Sequence, residues 1–505
     1  VLEELTLGAD FWRYAAQYRS EPFAFLLDSA RILPGLGRYS FLGGAPWLVY
    51  RARRCAGSVA LGLAEIELQY LDPLRPDAAP RVAHRRADLF EDLGRCLAEL
   101  AMPPVLRREL ALPFVGGAVG YVGYEAAHFI EHLPDRAVRD VDLPELCLLF
   151  VDQLLAHDHA TGITHLVTTG RGTSEAEASA AAELLRVNHK ARIARFNDEL
   201  AAAVGGRKRQ HSGAAHPHAR GALEIRAHAT ERDYVKTVER AREHILAGDA
   251  FEVCTTHRLD AAYAGDAWAL YERLREINPA PFACYLQLPG LRVVSSSPER
   301  FLRLSCDGGA EARPIKGTRP RGATPDDDAR LRAELSASEK DRAENIMIVD
   351  LVRNDLGRVC EVDSVHVPEL MVIEDHPSVF HMVSTVRGQL STEHTPLALF
   401  RACFPPGSMT GAPKIEAMKI IDALEPYQRG IYAGSLGYFD LGGGMDWSVV
   451  IRSFVLQQGR CYFGVGGAVV ADSDPSAEYR ESMAKAEALL RALELTVRDS
   501  GGTSA

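Results

Sequence analysis

Apolar residues recur along this chain at two different periods. From Glu231 to Ala247 they return every three or four positions, at Tyr234, Val238, Ala241 and Ile245, and Gly248 supplies a stop. That spacing predicts a helix. Asp88 to Leu100 and the alanine-rich stretch Glu175 to Glu199 carry the same period. Shorter runs rich in β-branched and aromatic residues read as strands: Phe251 to Thr256, Ala283 to Leu288, Arg292 to Ser296, Tyr438 to Asp440, Ser448 to Gln457 and Cys461 to Val470. Gly37 to Gly43 and Pro113 to Tyr121 read as strand-and-bend segments. Strands and helices do not alternate regularly, which disfavours a doubly wound parallel sheet and favours an α+β fold with large antiparallel sheets. There is no internal repeat.

The 505 residues are 47% hydrophobic and 25% charged, an ordinary globular composition. Excess acid gives a net charge of −11, so general nucleic-acid binding is disfavoured and any anion site must be local. The nine cysteines form no C-x-x-C pair, which argues against a disulfide framework or zinc module and for a reducing, cytoplasmic setting. No apolar run approaches the ~20 residues of a membrane span. The acidic start, Val1 to Leu5, has no features of a targeting signal. The small, polar, glycine-rich stretch from Ala201 to about residue 224 reads as a linker or exposed loop. Its His211, His216 and His218 lack acidic or cysteine neighbours, so a metal site there is disfavoured. Residues 498–505 read as a disordered tail.

Chemistry concentrates in the C-terminal part. Lys316 lies in Arg313-Pro314-Ile315-Lys316-Gly317-Thr318-Arg319-Pro320-Arg321-Gly322, where prolines fix the backbone and glycines free it. A lysine presented that way is a nucleophile if its surroundings favour the neutral amine. Ser338 and Asp341 form a helix start, and Glu344 then shares a stripe with Met347, Ile348 and Leu351. A carboxyl on an apolar stripe must find a partner or become protonated. Asp474-Pro475 starts a last helix on which Glu478, Glu481 and Lys485 share one face. Two adjacent carboxylates call for a cation, and magnesium suits them; a solvated acidic face is the alternative. Arg452 in the run Val449 to Phe454 needs an anion, whereas His381 in Ser378 to Ser384 reads as a hydrogen-bonded core residue. Gly464 to Val469 and Gly407 to Lys414 depart from the dinucleotide and P-loop spacings but can offer backbone N–H groups.

Taken together these segments resemble the chorismate-utilising enzymes: anthranilate synthase component I, aminodeoxychorismate synthase component I, and the isochorismate and salicylate synthases. The resemblance rests on Ser297-Pro298-Glu299, the Lys316 segment, Ala343 to Gly357, His381, Phe404 to Lys414, Arg429 to Gly434, Arg452 and the Glu478/Glu481/Lys485 face. It is dense from about Tyr234 to Leu493, which sets a catalytic region at 225–497, and looser in an N-terminal region at 1–200, through Gly37 to Gly43 and Pro113 to Tyr121. It implies a sandwich of two antiparallel sheets with helices outside. It further implies magnesium at Glu344, Glu478 and Glu481, with substrate contacts from Thr410, Tyr432, Arg452, Gly466, Ala468 and Lys485. Ala468 stands where the family usually has glycine. Glu299 would be the acid assisting loss of the ring hydroxyl, and His381 would line the same site.

Within the family, Pro-Ile-Lys-Gly-Thr resembles the aminodeoxychorismate branch, whereas anthranilate synthases carry alanine in place of the lysine. The resemblance implies that Lys316 attacks carbon-2 of chorismate, expels the carbon-4 hydroxyl, and is displaced by ammonia to give 4-amino-4-deoxychorismate, for p-aminobenzoate and folate synthesis. It sets Val253 where water-adding relatives carry a lysine base. Leu26-Leu27-Asp28-Ser29 instead lies near an element of tryptophan-inhibited anthranilate synthases. Ammonia is expected from a separate glutamine amidotransferase subunit, since the chain ends soon after Leu493. The alternatives are anthranilate synthase component I and a non-catalytic chorismate-binding regulatory subunit.

Overall fold

The computed structural model describes residues 1–55, 60–75, 77–103, 107, 110–205, 223–376 and 379–501. Two 12-stranded sheets, antiparallel at every paired strand, form the frame. The first runs, edge to edge, from Leu2–Leu5 through Ile163–Thr168, Gln153–Asp158, Tyr39–Gly44 and Ala24–Asp28. It continues through Phe282–Leu288, Leu291–Ser297, Ser453–Gln457, Arg460–Val469 and Glu252–Ala262 to Ile225–Ala227. The second runs from Ile315–Pro320 through Val379–Gln389, Gly309–Arg313, Arg300–Leu304, Met445–Val449 and Ser435–Asp440. It ends through Gly117–Val122, Leu146–Val151, Leu48–Arg54 and Leu63–Tyr70 at Arg81–Asp88. Each sheet is thus built from both halves of the chain, joined where Ala24–Asp28 pairs with Phe282–Leu288 and Gly117–Val122 pairs with Ser435–Asp440. The regions separated by sequence are one interleaved unit.

Phe25, Phe41, Leu286 and Val293 of the first sheet meet Val119, Tyr121, Leu149 and Tyr438 of the second in a buried core. The opposite faces are covered as well. Leu26, Phe454 and Phe463 pack under helices Ala267–Ile277 and Pro475–Gly501. Leu302, Phe439 and Trp447 pack under Pro396–Cys403, and Leu68 near Leu89–Glu99. Strands buried on both faces are apolar at consecutive positions, which is why so many read as continuous runs.

The structure revises three sequence expectations. The run Ser448 to Gln457 is two strands in different sheets, broken at Val450–Arg452, and Arg452 adopts φ 53°. The helix from Glu175 extends to Gly205, into the stretch read as a linker, while 206–222, including His211, His216 and His218, lie outside the described residues. The last helix runs on to Gly501, through the start of the expected tail; 502–505 lie outside the described residues. No described helix is long and apolar enough to cross a membrane.

Candidate active site

The chain crosses between the sheets at two adjacent places. Ser297 ends a strand of the first sheet and Arg300 begins one of the second, so Glu299 sits in the crossing. Val450–Arg452 makes the return crossing. Backbone hydrogen bonds tie the two together, from Val449 N–H to Glu299 O (3.1 Å) and from Ser296 N–H to Arg452 O (3.1 Å). Glu299 is buried, and that burial pushes its carboxyl up to about 7, with Lys316 pulling the other way. A carboxyl that keeps its proton near neutrality is equipped to be a general acid.

Lys316 lies in the strand Ile315–Pro320. Ile315 faces Val383 and Thr318 faces His381, so Lys316 and Gly317 together oppose one residue of the partner strand. Such a bulge re-aims a side chain. Gly317 takes φ +85°, and a Cβ there would stand 2.9 Å from Leu335 Cδ1 and 3.0 Å from Asp341. Lys316 is only 7% exposed, and its Nζ donates to Glu252 Oε1 at 2.6 Å, bridging the two sheets. Burial works against its charge, but the carboxylates of Glu252 and Glu344 outweigh it and hold the ammonium above the usual lysine range.

Helix Glu339–Gly357 is capped by Ser338, which accepts from Asp341 N–H as expected. It brings the buried Glu344 toward Lys316, and burial raises that carboxyl to about 7. Asp474 accepts from Ala477 N–H at the start of the last helix, whose Glu478/Glu481/Lys485 face lies on a glycine pair. Lys485 Nζ donates to Gly466 O at 3.0 Å. A Cβ on Gly467 would lie 3.2 Å from Glu478 Oε2 and 4.0 Å from Glu481 Oε1. Lys340 Nζ donates to Glu478 at 2.8 Å and lies 3.8 Å from Glu344, while Glu481 pairs with Lys485 at 2.8 Å. With lysines between them, the acids do not converge, and among the described residues no three His, Cys, Asp or Glu side chains form a ready ligand set. Glu344 Oε1 is buried without a hydrogen-bond partner.

The remaining predicted residues fall around these. His381 Nδ1 lies 3.0 Å from Thr318 Oγ1, and burial, reinforced by His376 and Arg452, holds its imidazole neutral. Arg452 is half-buried and donates to the Lys485 carbonyl at 2.6 Å; among the described residues it has no carboxylate hydrogen bond. Thr410 is buried, and its carbonyl accepts from Cys254 N–H at 2.8 Å. Tyr432 packs on Gly464, where a Cβ would stand 2.3 Å from the ring. Gly466 and Ala468 are paired with Thr256 and Cys254.

Three residues escaped the sequence reading. Glu252, wholly buried, reaches Lys316 from the strand Glu252–Ala262. Val253, which the resemblance sets at the lysine-base position of the water-adding enzymes, is turned to the other side of that strand and buried in the apolar core. The signal was strand parity: one acid at the head of a run of apolar and hydroxyl residues. Lys340 was legible only as an exposed helix residue. Glu425 accepts from Thr256 N–H at 2.7 Å and pairs with Arg429 at 2.6 Å, fixing the segment that leads to Tyr432.

A cavity of about 1050 Å³ lies elsewhere, between the sheets, and is lined by none of these candidate site residues. Leu27, Asp28 and Ser29 line it together with Pro281 and Phe282.

At the sequence level the chain is 41% identical over 95% of its length to an aminodeoxychorismate synthase of Streptomyces pristinaespiralis, and spans 62% of that protein. It is 39% identical over 93% of its length to anthranilate synthase component 1 of Streptomyces coelicolor, covering 83% of it. Among solved structures, anthranilate synthase component I of Streptococcus pneumoniae superposes with a TM-score of 0.69 at 26% identity, over 90% of this chain and 92% of that one. The chorismate binding enzyme family matches residues 79–491. On this match and these relatives, the chain belongs to the chorismate binding enzyme family.

Proposed function

We propose that this chain is an aminodeoxychorismate synthase of the component I type, converting chorismate and ammonia to 4-amino-4-deoxychorismate. The observation that carries the reading is Lys316: a buried amine, aimed by a bulge, paired with Glu252 across the sheets and beside the crossing that holds Glu299. A buried lysine in an ion pair is hard to account for as surface chemistry, and a nucleophile splits the substitution into two easier steps. Lys316 Nζ attacks carbon-2 and the carbon-4 hydroxyl leaves as water with the Glu299 proton. Ammonia then attacks carbon-4 and releases the lysine as the free amine, and the new ammonium returns a proton to Glu299. Tyr432, Arg452 and Lys485, with the backbone at Gly466 and Ala468, would hold the substrate carboxylates; Thr410 and the neutral His381 would complete the wall.

Magnesium at Glu344, Glu478 and Glu481 would take the place that the Lys340 ammonium holds between the first two acids. Glu344 and Glu478 share the Lys340 ammonium, and Glu344 Oε1 lacks any hydrogen-bond donor. Glu481 is one turn along the same helix as Glu478. An oxygen-seeking cation that needs only one or two carboxylates matches this set. When bound it supplies positive charge to the substrate's ring carboxylate. Ammonia would come from a glutamine amidotransferase partner in a cytoplasmic folate pathway.

The anthranilate synthase relative favours a second reading, with the same fold and a different product. One assay separates them. Purified chain incubated with chorismate, magnesium and ammonium should give p-aminobenzoate only after aminodeoxychorismate lyase is added. Anthranilate formed without lyase overturns the proposal, and no consumption of chorismate would point to a regulatory subunit. Lys316→Ala should bind chorismate like the native chain but lose at least ~10²-fold in aminodeoxychorismate formation, the scale of a lost covalent or proton-transfer partner. Unchanged rate and product in that variant would remove the nucleophile.

A further inference from the structure

Resting on that reading, a problem remains at its first step: Lys316 is charged, and an ammonium is no nucleophile. We infer that Glu252 is the proton acceptor that frees Lys316 for attack. It is wholly buried, its Oε1 receives the Lys316 N–H at 2.6 Å, and its Oε2 is buried without any hydrogen-bond partner.

The other groups facing Lys316 are less suited. Glu299, from the sheet crossing, must keep its own proton for the leaving hydroxyl. Glu344, from helix Glu339–Gly357, and Glu481, from the last helix, act on Lys316 through their charge, without a hydrogen bond to it among the described residues. Cys254, on the same strand as Glu252, is a buried thiol. Transfer from Nζ to Glu252 turns an ion pair into a neutral amine and a carboxylic acid. The net charge of the pair is zero before and after, so no proton has to reach solvent. Substrate that covers the site and expels water makes the charged pair more costly and the neutral pair more accessible. When ammonia displaces the lysine, Nζ departs as the free amine and recovers its proton from Glu252, closing the cycle.

The test compares Glu252→Gln and Glu252→Asp with the native chain across pH, after the native product has been identified. Glu252→Gln should lose on the order of 10²-fold in kcat near neutrality with little change in KM for chorismate. Its deficit relative to native should shrink as pH rises, because solvent then takes the Lys316 proton. Glu252→Asp should keep a carboxylate acceptor and show a smaller deficit that stays constant with pH. A native rate in Glu252→Gln, or a deficit equal at every pH, overturns the inference. Should the Gln variant not fold, Glu252→Asp decides: its kcat should fall about tenfold with KM unchanged, and a native kcat overturns the assignment. If the native chain makes anthranilate, the proposed function falls first. If it makes aminodeoxychorismate and Glu252→Gln behaves as native, only the role of Glu252 falls.

Discussion

Glu299 and Lys316 are both buried, yet burial leaves them in different states. Glu299 lies in the sheet crossing with one cation nearby, so desolvation wins and its carboxyl ionises only at about 7. Lys316 has two carboxylates at hand, so desolvation loses and the charge stays. The first of these has a measurable consequence for stability. The unfolded chain ionises Glu299 near the ordinary value of 4.5, while the folded one retains the proton until about 7. The folded state therefore binds the extra proton between these limits, and stability falls as pH rises through them. Glu299→Gln removes that penalty. The variant should match the native chain in thermal unfolding below the ordinary carboxyl range and exceed it above pH 7 by roughly 3–4 kcal/mol, at about 1.4 kcal/mol per pKa unit. It should also lose on the order of 10²-fold in activity. Equal stability of the two proteins at alkaline pH would show that Glu299 ionises normally. Glu299 and Lys316 were both legible as residues of interest, but the charge state of either depends on neighbours brought from other elements.

Among the elements, the strand Arg460–Val469 and the last helix show how glycines set the site's spacing. A Cβ on Gly466 would meet Thr255 O at 2.2 Å, a backbone atom that cannot swing aside. Gly466→Ala should therefore push Glu252–Ala262 away and cost about 1–3 kcal/mol as overpacking, read by chemical denaturation, with a raised KM for chorismate. Ala468→Gly at the neighbouring half-buried position should cost less than about 1 kcal/mol. Equal effects at the two positions would mean that the close strand approach does not govern the site. Most helix positions were readable from period alone: Glu231–Leu246, Leu89–Glu99 and the Ser338 cap match the expectation closely. The segment Ser448 to Gln457 was misread because an apolar run has the same appearance whether it stays in one sheet or passes between two. Its one charged residue, Arg452, marks the break.

For the molecule as a whole, the interleaving of the two halves matters more than the sequence boundary between them. The strand Phe282–Leu288 is paired on one edge with Ala24–Asp28, and Phe114 stacks on Tyr438 at a 4.4 Å centroid distance. Removing the N-terminal region would open both sheets along interior edges and expose the apolar core between them. The full chain should thus unfold in one cooperative transition, and a fragment of residues 223–501 should fail to give a stable monomer by circular dichroism and size-exclusion chromatography. A folded, monomeric fragment with native thermal stability would contradict the interleaved core.

The amino-acid order was sufficient for the class of fold and the family, and it named candidates for the site, because hydrophobic periods and short rigid motifs are local properties of a chain. Proton states and pairings were not local. The Lys316–Glu252 pair joins positions 64 residues apart from two sheets, and Lys340 stands between acids carried by two different helices. Electrostatic energies depend on distance and on exclusion of water, and those quantities exist only once the sheets have packed.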